Sequence, residues 1–329
     1  MIWRGVEPQS PGAKRRLNPK RQAPACGDLE SMTLPSKNSG LHRLAPRVRH
    51  WALSRFLLMA AGLVALMVGS VILGKMLIPP APSPWRHALM LLRFLSTAIA
   101  MLALYAGLIR FMERRAVAEL AGRAGARLFG MGLLTGAGLM ASVYLVLWMM
   151  GVATFYPGSG LMGLEGGLAS TFGAAIFEEL LFRGVLFRIL EEMAGTTVAL
   201  VGSALVFGAL HGMNPGATLL SAGAIVIESG LLLALAFAAA RNLWLPIGLH
   251  FAWNFTEGSI VGAKVSGTAE HYSLVRSNLS GAPLFTGGGF GPEGSVVSMG
   301  FCLALSLVLA FVVVRRGKWR PLTWRSSLP

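Results

Sequence analysis

Beyond about residue 50 the chain alternates between long apolar runs and short polar links. Runs of about twenty nearly uncharged residues, the length a helix needs to cross hydrocarbon, fall at 56–78, 87–109, 128–151, 167–190, 196–213, 217–240, 243–262 and 295–314. The pattern predicts an all-α polytopic integral membrane protein of about eight transmembrane helices. The first run is too long for the apolar region of a secretory signal and lacks a small-x-small cleavage site, so it is read as a span. Residues 1–50 differ: ten Lys or Arg stand against three acids, with scattered Pro and Gly and no apolar period. They are expected to form a disordered basic tail.

Composition narrows the class. Of 329 residues, 54% are apolar and 13% charged, with a mean hydropathy of +0.62, against roughly 25% charged in a soluble domain. A soluble globular enzyme is excluded. The formal net charge of +15 would suggest nucleic acid if the basic residues formed one patch, but they sit between the apolar runs. Links on one side carry 23 Lys or Arg, and those on the other only Arg86, Lys264 and Arg276. The positive-inside rule then places both termini in the cytoplasm, as an even helix count requires. We expect a bacterial inner membrane, anionic lipid as partner of the basic surplus, and no nucleic acid. The two cysteines, Cys26 and Cys302, build neither a CxxC pair nor a disulfide framework. No repeat suggests an inverted-repeat transporter, and the Gly- and Ser-rich stretch 263–294 is read as an outer loop without assignable chemistry.

Ionisable side chains inside a span cost at least about 2.5 kcal/mol each on insertion scales, so those present mark a site. They are Lys75, Arg93, Glu178, Glu179, Arg183, His211, Glu228, His250 and Glu257. Lys75 can snorkel, and Glu257 is expected near an interface. The densest group is Phe177-Glu178-Glu179-Leu180-Leu181-Phe182-Arg183. Glu179 and Arg183 are i and i+4 and share a face, whereas Glu178 points about 100° away and finds no partner in its own helix. His211 ends Phe207-Gly208-Ala209-Leu210-His211, and His250 opens His250-Phe251-Ala252-Trp253-Asn254.

Each piece alone has an ordinary explanation. A membrane His is most often an interhelical hydrogen-bonder, an Asn one turn from it can join helices, and Phe207 reads as packing. The combination is hard to obtain by packing, and it predicts a polar pocket of Glu178, His211, His250 and Asn254 drawn from three helices. Carboxylate and imidazole could deprotonate a water, while imidazole and carboxamide could donate to a developing oxyanion. That equipment suits amide hydrolysis.

The ordered signatures EExxxR, FxxxH and HxxxN resemble the CAAX protease and bacteriocin-processing family (CPBP, also called Abi), which includes the type II CAAX prenyl endopeptidases. The resemblance covers about 165–256, including the small and apolar run Asn242-Leu243-Trp244-Leu245-Pro246-Ile247-Gly248-Leu249 before His250. It divides the chain into a tail (1–50), N-terminal helices (51–165), a catalytic core (165–256) and an outer loop with the last helix and basic C-terminus (257–329). It implies an intramembrane endopeptidase acting on a peptide or protein, prenylated or membrane-embedded. By the resemblance, Glu178 with His211 activates water, His250 and Asn254 stabilise the oxyanion, and Glu179 and Arg183 orient and support. It carries a metallopeptidase reading as well, with Glu178, His211 and His250 as zinc ligands and Glu179 as base, although no HExxH is present. The metal-free reading is preferred.

Two other classes compete: a non-catalytic immunity or scaffold protein that keeps the pocket, and a proton-coupled transporter using Glu178 and Glu228. A rhomboid-like serine is disfavoured because Gly158-Ser159-Gly160 follows Pro157 in a link, and a single Asp, Asp28, excludes an aspartyl dyad. One conflict stands. If 196–213 spans the bilayer, His211 lies near its outer end and Glu178 about eleven residues below, a mismatch of about 12 Å. Either Gly212–Gly216 folds back below the surface or the boundaries differ. Glu228 has no clear role beyond a guessed contact that supports a histidine.

Overall fold

The computed structural model describes residues 45–79, 85–161, 164–268 and 272–322. Residues 1–44, most of the expected basic tail, lie outside the described residues. Helix α1 nevertheless begins at Ala45, inside the stretch read as tail, with Pro46 in its first turn, where a missing N–H is no loss.

Eight long helices fall close to the apolar runs. They are α1 (Ala45–Leu77), α2 (Arg86–Leu108, continued by a π-type turn Ile109–Glu113), α3 (Gly122–Met149) and α4 (Leu164–Glu179, Leu180–Phe187 and Arg188–Ala194 in succession). After these come α5 (Thr196–His211), α6 (Leu219–Ala240), α7 (Trp244–Phe255, continued by Thr256–Ile260) and α8 (Val296–Arg315). Among the described residues, five are long and apolar enough to cross a membrane: α1, α2, α3, α6 and α8. Length and composition thus support five of the eight expected spans. α5 has only 16 residues, α7 has 12 before its π-type end, and α4 carries Glu178, Glu179, Arg183, Arg188, Glu191 and Glu192.

Among the described residues the fold is all-α apart from one small element that hydropathy does not mark. Strand β1 (Ala153–Pro157) pairs antiparallel with β2 (Val275–Leu279), from Ala153 opposite Leu279 to Pro157 opposite Val275. Tyr144 Oη lies 3.1 Å from Ser277 Oγ and ties the ribbon to α3. The segment 263–294 is thus pinned to the helices rather than a bare loop.

Helices α3 and α7 approach unusually closely because small residues line their contact. A Cβ on Gly136 would fall 2.2 Å from the Leu249 carbonyl oxygen, and one on Gly248 would fall 2.4 Å from that of Phe129. This contact fixes the helix that bears His250. Large apolar side chains on α1 and α2, such as Leu58, Ile72, Leu92 and Ile99, face outward, as lipid contact requires.

One end of the helices holds a buried ionic network. Arg188 donates to both Glu113 oxygens at 2.7 and 2.9 Å, and Arg55 pairs with Glu113 and Glu192 at 3.1 and 2.7 Å. Arg115 grips Glu119 through two bonds of 2.7 and 2.9 Å. The Tyr105 hydroxyl lies 2.7 Å from the same carboxylate and 3.0 Å from the Gly184 carbonyl oxygen. Burial alone pushes the Glu119 carboxyl up, but Arg115 and Tyr105 more than offset it and hold the group below the ordinary carboxylate range.

Candidate active site

Glu178, Glu179 and Arg183 lie where α4 passes from α-helical to π-type winding, a widening frequent at functional sites. The two glutamates face different surroundings. Glu179 is fully buried, and its Oε1 accepts from Arg183 Nη1 at 2.8 Å and His250 Nδ1 at 2.9 Å. Arg183, also buried, donates onward to the carbonyl oxygens of Ser229 and Gly230 on α6, and its Cζ lies 4.9 Å from the Phe207 ring centre. Glu179 and Arg183 thus partner each other, as burial demands of a charged pair.

Glu178 has no such partner. Its Oε2 is 3.9 Å from His211 Nε2 and 3.9 Å from His250 Nε2, and makes no hydrogen bond. Those separations are too long for direct bonds and suit one water placed about 2.8 Å from each group.

The rings are held so that Nε2 faces this gap. His211 Nδ1 lies 3.0 Å from the Phe207 carbonyl oxygen. A carbonyl only accepts, so Nδ1 carries the proton, and Nε2 of the neutral ring offers its lone pair. The ring stacks on Phe207 at 4.4 Å and 21°, while Phe182 meets Phe207 edge-on at 4.6 Å. Phe207 therefore packs, as expected. His250 Nδ1 donates to Glu179, which fixes that ring in the same sense. Asn254 lies one turn beyond His250 and is half-buried, and its amide forms no hydrogen bond among the described residues. The structure thus brings together Glu178, Glu179, Arg183, His211 and His250 directly, and Asn254 only by its place on α7.

The depth conflict disappears once α5 is seen to be short. From Glu178 to the end of α4 at Ala194 and from Thr196 to His211 the chain runs nearly the same number of residues. The two side chains therefore lie level. At His211 the chain turns back, and α6 starts with Thr218 capping Ser221. Asn214 Nδ2 donates to the Ser266 carbonyl oxygen at 2.9 Å. Phe290, from the segment read as a chemistry-free loop, is buried in one cluster with Phe182, Phe207 and Ile225.

Sequence reasoning missed the Ser229 and Gly230 carbonyls, since no side-chain pattern announces a backbone acceptor. It also did not foresee that Glu257, expected near an interface, is enclosed by protein. That residue is fully buried, because the π-type turn at the end of α7 swings it under the Pro292–Gly294 turn, where Glu293 N donates to its Oε1 at 3.4 Å. Glu228 and Glu293 are buried as well, and neither Glu228 oxygen has a hydrogen-bond partner. Glu228 bonds to neither histidine. A cavity of about 10 Å³, room for one water, lies between it and His250.

Among the described residues no set of three or more His, Cys, Asp or Glu side chains is arranged to hold a metal ion. Glu178, His211 and His250, which would hold the zinc in the metallopeptidase reading, stand with Glu178 Oε2 3.9 Å from each imidazole Nε2.

Residues 160–256 match the family model described as type II CAAX prenyl endopeptidase Rce1-like. No curated protein and no solved structure matches the chain. The matched stretch contains all seven motif residues and starts five residues before the core expected from the motifs. The chain is thus a membrane protein whose residues 160–256 match the model of the Rce1-like type II CAAX prenyl endopeptidase family.

Proposed function

We propose that the protein hydrolyses a peptide bond within the membrane using a water activated by Glu178 and His211, with His250 and Asn254 at the oxyanion. The observation that carries this reading is the convergence of one carboxylate and two imidazole Nε2 atoms from α4, α5 and α7, each imidazole 3.9 Å from Glu178 Oε2. A water in that gap donates to Glu178, which takes its proton as the water oxygen attacks the scissile carbonyl. His211, fixed by Phe207, accepts the second hydrogen of the water and orients its lone pair. When His250 is protonated, Glu179 balances its charge and Nε2–H donates to the oxyanion. The Asn254 amide, reached by a rotamer change, supplies a second donor. Glu178 then returns the proton to the leaving amine. The substrate class follows from family and setting: a peptide or protein segment at the membrane, with a prenylated C-terminus as first candidate. On the charge distribution, both termini face the cytoplasm.

The test is cleavage of internally quenched peptides, prenylated and unprenylated, by the full-length protein in detergent. Wild type, Glu178→Gln and a sample treated with a zinc chelator are run side by side. We expect cleavage by wild type, none by Glu178→Gln, and no effect of chelator. Inactivation by chelator with recovery on added zinc would replace this mechanism with the metallopeptidase one. A folded wild type that cleaves no member of a prenylated and membrane-embedded peptide series would favour a pocket kept for binding.

A further inference from the structure

A cleft of about 510 Å³ runs between α1 and α2, lined among the described residues by these two helices and Ile78 just past α1. That volume is in the range of small-molecule sites. Its walls are mostly apolar, with Leu66, Leu73, Leu89 and Leu92 among them, and its one charged residue is Arg93. The hydroxyls in the cleft are already committed: Ser70 and Thr97 lie 2.6 Å apart, and Thr97 and Ser96 donate to the Arg93 carbonyl oxygen at 2.7 and 3.0 Å.

Arg93 is under-partnered. Its Nη1 donates to the Ser70 carbonyl oxygen at 3.3 Å and its Cζ lies 4.2 Å from the Phe94 ring centre, but its Nε is buried without a partner. No Asp or Glu occurs from residue 51 to 112, so neither helix supplies a carboxylate near it. Lys75 and Arg86 add cationic charge at the same end of the hairpin. The guanidinium crosses α1 at Gly74, where a Cβ would fall 2.7 Å from Arg93 Cδ. Gly74 is three residues from the end of α1 at Leu77, about 4.5 Å along the helix. The cation therefore stands near the headgroup boundary, with the apolar walls leading away from it into hydrocarbon.

We propose that this cleft is a binding site for an anionic phospholipid, with one acyl chain between the leucines and the phosphate on Arg93. The commitment to a net-negative lipid rests on charge: three cations at this end, with no carboxylate on either helix, oppose the trimethylammonium of a zwitterionic headgroup. This site is independent of the Glu178 pocket and of the peptidase reading.

The test is native mass spectrometry of the delipidated full-length protein offered equimolar phosphatidylglycerol and phosphatidylcholine of matched chains. Wild type is expected to retain one phosphatidylglycerol with a preference of about fivefold to tenfold, as a missing headgroup cation beside Arg93 supplies. Arg93→Gln is expected to bring the preference to about onefold. Gly69→Leu is the second variant, because a Cβ there meets nothing within 4 Å and Gly69 lines the cleft. It is expected to lose retention of both lipids with Arg93 intact, so the test stands even if Arg93→Gln misfolds. Equal retention of the two lipids by wild type, an unchanged preference in Arg93→Gln, or a dimer that Gly69→Leu converts to monomer would each overturn the proposal.

Discussion

Replacing Glu178 and Glu179 one at a time separates chemistry from architecture at adjacent positions. Glu179 accepts two short bonds, from Arg183 and His250, and is fully buried with Arg183. Glu179→Ala leaves that guanidinium and the His250 ring without their carboxylate. Breaking a buried pair from one side costs about 3–5 kcal/mol, which in a chain of this size lowers the thermal midpoint by about 10 °C. Glu178 makes no contact shorter than 3.9 Å to the histidines. Glu178→Gln should therefore change stability by less than about 0.5 kcal/mol, while loss of a general base lowers cleavage by about 10²–10⁴-fold. Both variants are expected to be inactive, and only Glu179→Ala to be unstable. The assay pairs peptide cleavage with thermal unfolding in the same detergent. A Glu179→Ala protein that melts like wild type, or a Glu178→Gln protein that cleaves normally, would refute this division of labour.

Three further outcomes are expected. Gly136→Ala places a methyl where the Leu249 carbonyl oxygen already stands 2.2 Å from its carbon; the displaced α7 should cost about 1–3 kcal/mol and lower kcat about 10²-fold, as a shift of about 1 Å at His250 can. Glu228→Met removes two unpartnered oxygens at similar volume and should raise stability by about 1–3 kcal/mol, read as a higher unfolding midpoint, an unchanged midpoint showing that these oxygens are solvated. Because the folded-state pKa of Glu119 is depressed, its stabilisation is present above the unfolded carboxylate value and fades as pH falls through the lower folded value. Thermal midpoints of wild type should therefore fall more steeply on acidification than those of Glu119→Gln.

Much of the site could be read from spacing. The four-residue intervals place Glu179 with Arg183, and Phe207 with His211, on shared helix faces, and a carboxylate unpaired in an apolar run points to Glu178. What spacing does not reveal is where a helix stops. The residues Gly212–Thr218 are only mildly polar, so a hydropathy window runs α5 into them and misjudges the depth of His211. Long-range pairs are equally hidden: Arg188 reaches Glu113 across 75 positions, and no local period encodes that contact. Phe290 and Glu293 sit in a Gly-rich stretch that looks like solvent-exposed chain, yet both are buried. Glu257 is buried because a π-type turn changes the face it presents, which a fixed period of 3.6 cannot anticipate.

The early end of α5 also bears on how the reagent arrives. Hydrolysis consumes one water per turnover, and hydrocarbon holds almost none. A helix of 16 residues spans about 24 Å, short of the roughly 30 Å of a bilayer core, so it brings a polar turn below the lipid surface directly beside His211. Backbone groups at that depth persist only against protein or water. On the proposed mechanism the short helix would give water a route from the side of the membrane that faces the 212–218 turn, and lengthening α5 by one turn of leucines is expected to lower cleavage without touching any residue of the site.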